Sequence, residues 1–304
     1  MSTNVIPRST QQVTRNGSLL SDAAIKLLGL SIGVIMTVGM RLARRKDTLL
    51  CRSYIPRPDD IFIVTYPRSG TTWVQMILYQ ILTDGEMDFE NINEWSPHFE
   101  DRLCQCQNFE HLPSPRILKS HLDYQSIPKG PCKYIYVVRN GKDVAVSYFH
   151  YSRTHMGFTK DFGTFFEFFL NGKHNHGSWF EHVGQWWENR HNLNVLFLTY
   201  EELTSKREGA IRKIIDFCGR EVGPEKFSRI MERSSFAFMK QHEDKFDTLT
   251  WLVKEMNFKT GAFIRKAQVG EWKECLSGEQ EELFRHSFTK HLSKLSADLK
   301  DIIK

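Results

Sequence analysis

The chain has 304 residues, room for one large α/β domain or two small ones. Its 40% hydrophobic and 25% charged content is ordinary for a globular protein. A net charge of +5 leans towards anionic ligands but is too weak, without an Arg/Lys-rich run, to argue for nucleic acid. Six cysteines are scattered with neither a CxxC pair nor zinc spacing, and the 12 histidines include no HExxH. No metal site is therefore expected. The cysteine usage suits a reducing, cytoplasmic location.

Residues 1–18 are polar, and disorder is expected there. An apolar stretch follows. Its uncharged part, Leu27 to Met40, is too short to span a bilayer, but residues 23–43 would reach ~30 Å at ~1.5 Å per residue. Lys26 and Arg41 lie near its ends, and Arg44, Arg45 and Lys46 follow. Three readings stand: a membrane anchor with the catalytic domain facing the cytoplasm, an apolar helix packed on the domain, or a processed targeting segment. The expected division is a 1–47 tail-plus-helix segment and a 48–304 domain.

From residue 61 onwards strands alternate with helices. "IFIVTYP" is a short β-branched run suited to a central parallel strand. After it, Val74, Ile77, Leu78 and Ile81 fall on one helical face. "RILKSHL" from Arg116, "KYIYVVRN" from Lys133 and "NVLFLTYEEL" from Asn194 read as further strands. "REGAIRKIIDFCG" reads as a helix stopped by Gly219. "LFRHSFTKHLSKLSADLKDIIK" reads as a C-terminal helical region. The pattern predicts an α/β fold with a single doubly wound parallel sheet.

Ligands of such sheets bind at the carboxyl ends of the strands. The loop "PRSGTTW" offers Gly70, backbone N–H groups at a helix N-terminus and the hydroxyls of Thr71 and Thr72, with Arg68 as a fixed cation. This is a P-loop-like anion grip without GxxxxGK[ST]; a plain capped strand–helix turn would look the same. The third strand ends in Arg139, where a phosphate-transferring NTPase commonly carries a magnesium-binding Asp. Arginine suits direct anion binding, with Ser147 on the same approach. Lys119 and His121, two apart on a strand, point the same way. A neutral imidazole takes a proton from a hydroxyl, and a neighbouring lysine steadies a developing anion.

Taken together, these segments closely resemble the cytosolic-type sulfotransferase family. "YPRSGTTW" matches its YPKSGTTW, "RNGKDVAVSYFHY" its RNxKDVAVSYxHF and "KSHL" its KxHL. "GSWFEHVGQWW", "RSSFAFMKQ" and "FIRKAQVGEWK" resemble GSWxxHVxxWW, TSFxxMK and FxRKGxxGDWK, in the family's order from about Ile55 to beyond Lys273. The resemblance implies sulfuryl transfer from 3′-phosphoadenosine 5′-phosphosulfate (PAPS) to a small-molecule acceptor, without metal. It implies that Arg68, Ser69, Gly70, Thr71 and Thr72 wrap the 5′ end of the donor and that Trp73 and Phe236 stack on its adenine. Arg139, Ser147, Arg265 and Lys266 would hold the 3′-phosphate, with Ala267 beside them in the nucleotide site, and Tyr200, Ser234 and Met239 would complete the pocket. His121 is the implied base; Lys119 and Arg68 would steady the transferred group.

Three departures stand out. Arg68 replaces the family's lysine and is bulkier. Ala267 replaces the glycine of RKG, which matters if that position needs φ > 0. The dimer motif KxxxTVxxxE reads "KECLSGEQEE" from Lys273, with Ser277 and Gly278 for Thr-Val, so the usual homodimer is not expected. Beside an active sulfotransferase, a nucleotide-binding protein of the same fold with impaired catalysis stays open. A P-loop kinase lacks its loop motif. Phe149, Phe158, Phe162, Phe165, Trp179 and Trp251 suggest an aromatic-lined pocket for an apolar acceptor.

Overall fold

The computed structural model describes residues 50–104, 108–191, 194–247 and 261–303. The polar tail, the apolar segment 23–43, the expected boundary after residue 47 and Trp251 lie outside the described residues. Among the described residues, no helix is long and apolar enough to cross a membrane.

All four expected strands form: β1 (Ile61–Thr65), β2 (Ile117–Ser120), β3 (Lys133–Val138) and β4 (Val195–Thr199). They make one parallel sheet in the order β2-β1-β3-β4. The main helices are α1 (Thr71–Leu82), α2 (Gly141–His155), α3 (Phe162–Leu170), α4 (Trp179–Glu188), α5 (Tyr200–Ser205), α6 (Arg207–Cys218), α7 (Pro224–Arg233), α8 (Phe236–Gln241), α9 (Gly278–His291) and α10 (Ala297–Ile303). The C-terminal region read as helical is thus two helices, parted at Leu292.

Strand side chains alternate between two cores. Phe62, Val64, Leu118, Tyr134, Tyr136 and Val138 pack with Tyr148, Phe165, Trp179, Trp186 and Phe284 from α2, α3, α4 and α9. Ile61, Ile63, Ile117, Ile135, Val137 and Leu198 pack on the opposite face against α1 and α6, which bury Val74, Ile77, Leu78, Ile81, Ile211 and Ile214. Both faces being covered explains why the strands read as continuous apolar runs rather than as alternating ones. Helix α6 stops as expected, with Gly219 left-handed at φ 66°.

The amino edge of the sheet is locked by a buried ion pair. Arg116 Nε and Nη2 each donate to the Asp60 carboxylate at 2.7 Å, with Asp60 fully buried. Removing one partner of such a pair costs roughly 3–5 kcal/mol. The carboxyl edge is left to the ligand-facing loops. At the start of α9, Ser277 forms a capping box with Gln280, its Oγ accepting from Gln280 N at 3.2 Å. The residues that depart from the dimer motif are thus the cap and first position of that helix.

Candidate active site

Each strand hands a site residue to the carboxyl edge. After β1 the chain reverses through two left-handed residues, Arg68 at φ 69° and Gly70 at φ 101°. Helix α1 then starts at Thr71 with no side-chain cap on its free N–H groups, leaving them for an anion. A Cβ on Gly70 would meet the Tyr200 ring at 3.1 Å, so both the backbone angle and the space require glycine. Thr65 Oγ1 and Thr71 Oγ1, 2.6 Å apart, tie the loop to its strand.

β2 delivers Lys119 and, one residue past its end, His121. His121 Nδ1 lies 2.8 Å from the carbonyl oxygen of Thr65 and donates to it. That bond fixes the tautomer and leaves Nε2 as the proton acceptor. Burial, then the neighbouring His98, His176 and Lys119, push His121 well below the ordinary histidine range, so it is neutral at pH 7. Lys119 is 7% exposed, and burial lowers its pKa to about 8.

Two further histidines flank the base: the ring centroids of His98 and His176 lie 5.2 and 5.3 Å from that of His121. His98 Nδ1 sits 2.9 Å from the Asp101 carboxylate. Burial alone would lower the pKa of His98, but Glu100 and Asp101 outweigh it and raise it. The sequence reading missed His98, Asp101 and His176. None belongs to a motif, and a bridge between His98 and Lys119 is what brings the first two to the site.

β3 hands on to Arg139, one residue past its end, which is 6% exposed. Its Nη1 and Nη2 donate to the carbonyls of Arg68 and Gln268 at 3.0 and 2.9 Å, and its guanidinium lies 4.3 Å over the Tyr200 ring. Among the described residues its Nε is buried without a partner. Arg68 donates from Nη2 to Phe263 O at 3.0 Å and from Nε to Ser147 Oγ at 3.4 Å, flanked by the faces of Tyr151 and Phe263. Burial lowers its pKa to about 10. Arg265 and Lys266 both pair with Glu271: Arg265 Nη1 at 2.6 Å and Lys266 Nζ at 2.9 Å. Hydrogen bonds from Arg265 chiefly hold the Glu271 carboxyl at about 2. Ala267 is left-handed at φ 50°, so this position does need φ > 0.

β4 leads into Tyr200. Its ring lies 5.6 Å from that of Trp73, whose Nε1 donates to Ser234 O at 2.8 Å. A cavity of about 920 Å³ gathers Arg68, Gly70, Thr71, Thr72, Trp73, Lys119, His121, Arg139, Ser147, Tyr200, Phe236, Met239, Arg265, Lys266 and Ala267. Ser69 and Ser234 do not line it; both are buried, and their hydroxyls have no partner among the described residues.

The expected aromatic lining of the acceptor pocket needs correction. Phe149, Phe165 and Trp179 are core residues, and Phe158 and Phe162 pack against that core; none of the five lines the cavity. Aromatic residues on α2, α3 and α4 are drawn under the sheet by burial, and composition alone does not say which face they take. The stretch from Tyr148 to Trp187 instead gives the cavity Tyr148, Tyr151, Met156 and His176, beside Asn93, His98 and Asp101.

Comparison with known proteins agrees with this geometry. The family described as sulfotransferase domain matches residues 58–296. Human sulfotransferase 1C2 is 35% identical over 261 residues, which are 81% of this chain and 87% of that protein. Mouse sulfotransferase 1E1 is 34% identical over 259 residues, 81% and 86% of the two chains. The crystal structure of mouse sulfotransferase SULT7A1 complexed with PAP superposes with a TM-score of 0.69 at 29% identity, covering 84% of this chain and 91% of that one. Retinol dehydratase in complex with androsterone and inactive cofactor PAP gives 0.73 at 24% identity, covering 83% and 85%, a likeness of fold alone.

Proposed function

Since this chain belongs to the cytosolic-type sulfotransferase family, whose members are PAPS-dependent enzymes, we propose that it transfers a sulfuryl group from PAPS to a hydroxyl or amine of a small acceptor, with His121 as the base. The observation that carries the proposal is the Thr65–His121 hydrogen bond. It presents a bare, neutral Nε2 in the same cavity as the loop around Gly70 and as Arg139.

The residues present fit the donor. Arg139 lines the cavity with its Nε buried and without a partner among the described residues, and a ligand rich in anionic oxygens suits such a group. The N–H groups at the start of α1, with Thr71 and Thr72, would hold its 5′ end. Arg139, Ser147, Arg265 and Lys266 would hold its 3′-phosphate, and Trp73 and Phe236 its adenine. PAPS supplies a sulfuryl group already activated on a phosphate oxygen. His121 Nε2 takes the proton of the acceptor as its oxygen or nitrogen becomes nucleophilic. Lys119 and Arg68 would set positive charge beside the sulfuryl group as it transfers.

On the acceptor side Tyr148, Tyr151 and Phe263 supply the aromatic wall in place of the residues expected from the sequence. The wall there mixes Tyr148, Tyr151 and Met156 with Asn93, His98, Asp101 and His176, so we read the acceptor as small and bearing a polar group. A second reading, a nucleotide-binding protein with weakened catalysis, is favoured by one observation: Ala267 sits in a backbone conformation that disfavours it, next to two of the cations.

Thermal denaturation tests the donor site. PAPS and adenosine 3′,5′-bisphosphate are expected to raise the melting temperature, and ATP with magnesium far less. Equal stabilisation by adenosine monophosphate would remove the 3′-phosphate site. Labelled PAPS with a panel of acceptors then separates the two readings by turnover.

A further inference from the structure

Glu271 lies in the wall of the cavity, 5% exposed, and its carboxylate takes both Arg265 and Lys266. It is not a surface side chain that happens to swing inwards. Asp143, in the first turn of α2, accepts from Gly270 N at 2.7 Å and from Trp272 N at 3.1 Å, so the backbone on both sides of Glu271 is pinned. Lys142 holds the next residue from the other side, its Nζ 3.1 Å from the centre of the Trp272 ring. Arg139 reaches the same loop through Gln268 O.

The cavity therefore holds cations in two different states. Arg139 meets two carbonyls and a ring face, and its Nε is unsatisfied. Arg265 and Lys266 are already satisfied by an anion that belongs to the protein. We propose that Glu271 is a specificity-determining residue, an internal anion that the second phosphate of the nucleotide must displace from Arg265 and Lys266.

A carboxylate and a phosphate compete for the same guanidinium fork and ammonium. A nucleotide without the second phosphate leaves the Glu271 pairs intact and is indifferent to them. A nucleotide with it must break them, so Glu271 lowers affinity for that class alone.

This inference rests on the reading of Arg139, Arg265 and Lys266 as the site of the second phosphate. Its test is calorimetric titration of the wild-type protein, Glu271→Gln and Glu271→Asp with adenosine 3′,5′-bisphosphate and with adenosine monophosphate. Glu271→Gln keeps the shape and removes the charge; it is expected to bind the bisphosphate roughly tenfold tighter, with affinity for the monophosphate unchanged within about twofold. Glu271→Asp, one methylene shorter, keeps a charge that no longer reaches both cations; it is expected to gain in the same direction by less, and serves if the Gln variant does not fold. Unchanged or weaker bisphosphate binding by a folded variant would make Glu271 a scaffold for the two cations and overturn the inference. Equal tightening of both nucleotides would overturn it too, as a general charge effect. A wild-type protein that does not prefer bisphosphate to monophosphate would instead overturn the donor-site reading itself.

Discussion

His121 Nδ1 donates to the carbonyl oxygen of Thr65 at 2.8 Å, so the last residue of β1 sets the tautomer of the residue that follows β2. Strand pairing thereby does chemical work: the parallel register that places Val64 opposite Ser120 also brings Thr65 O under the imidazole. Replacing His121 by Asn keeps a side-chain nitrogen able to donate to Thr65 but removes the basic nitrogen. Turnover is expected to fall by ~10²-fold or more while nucleotide affinity stays nearly intact. Steady-state kinetics beside a bisphosphate titration checks both halves; near-normal turnover removes His121 from the mechanism.

The two groups at the reacting centre also set a pH profile. His121 works when neutral, and burial keeps its pKa well below 6.5, so the acidic limb lies well below neutrality. Lys119 works when charged, and burial lowers its pKa to about 8, so activity falls as pH rises through that value and the lysine loses its proton. The profile of kcat/KM reports the free enzyme, to which these values apply. Lys119→Arg keeps the charge at every accessible pH, so the variant that retains activity is expected to lose the basic limb. A limb near pH 8 that survives the substitution assigns it to another group.

Much of this arrangement was legible in the sequence. All four strands announced themselves as short apolar runs because both sheet faces are buried, and the residues that follow them, Gly70, His121, Arg139 and Tyr200, were found because ligands gather at strand ends. What was not legible depends on distant pairing. Nothing local marks Glu271 as a partner of Arg265 and Lys266, or His98 as a neighbour of His121; the first needs the Asp143 clamp and the second the bridge to Lys119. The aromatic residues failed for a different reason. Phe165 packs on Tyr148 and Phe149 of α2 and Trp179 on Phe284 and Phe288 of α9, and an aromatic ring reads the same in a core as in a pocket.

Arg68 is where the structure changes the expected outcome. Read against its family, it is a bulky substitute for lysine, and restoring lysine should be harmless. In the fold its guanidinium donates to both Phe263 O and Ser147 Oγ between the faces of Tyr151 and Phe263. A lysine has neither the planar fork nor the same stacking. Arg68→Lys is expected to lower turnover by roughly tenfold and to reduce the melting temperature by about 2 °C, since those contacts tie the loop to the 261–271 segment. Turnover equal to or above wild type would show that these contacts are incidental.

Ala267 stands at φ 50°, a region that costs an L-residue roughly 1–2 kcal/mol and glycine almost nothing. Part of that gain is returned, because glycine loses more chain entropy on folding, by about 0.5–1 kcal/mol. Ala267→Gly is therefore expected to stabilise by about 0.5–1 kcal/mol, a rise of roughly 1–3 °C in melting temperature for a chain of this size. Ala267→Val separates backbone strain from lost contacts: a β-branched side chain is worse in the left-handed region, so it should destabilise by more than glycine gains. Differential scanning calorimetry of the three proteins gives the order glycine above alanine above valine if strain at this position decides. An unchanged melting temperature for the glycine variant would mean that the loop holds Ala267 without strain, and the observation behind the weakened-catalysis reading would lose its force.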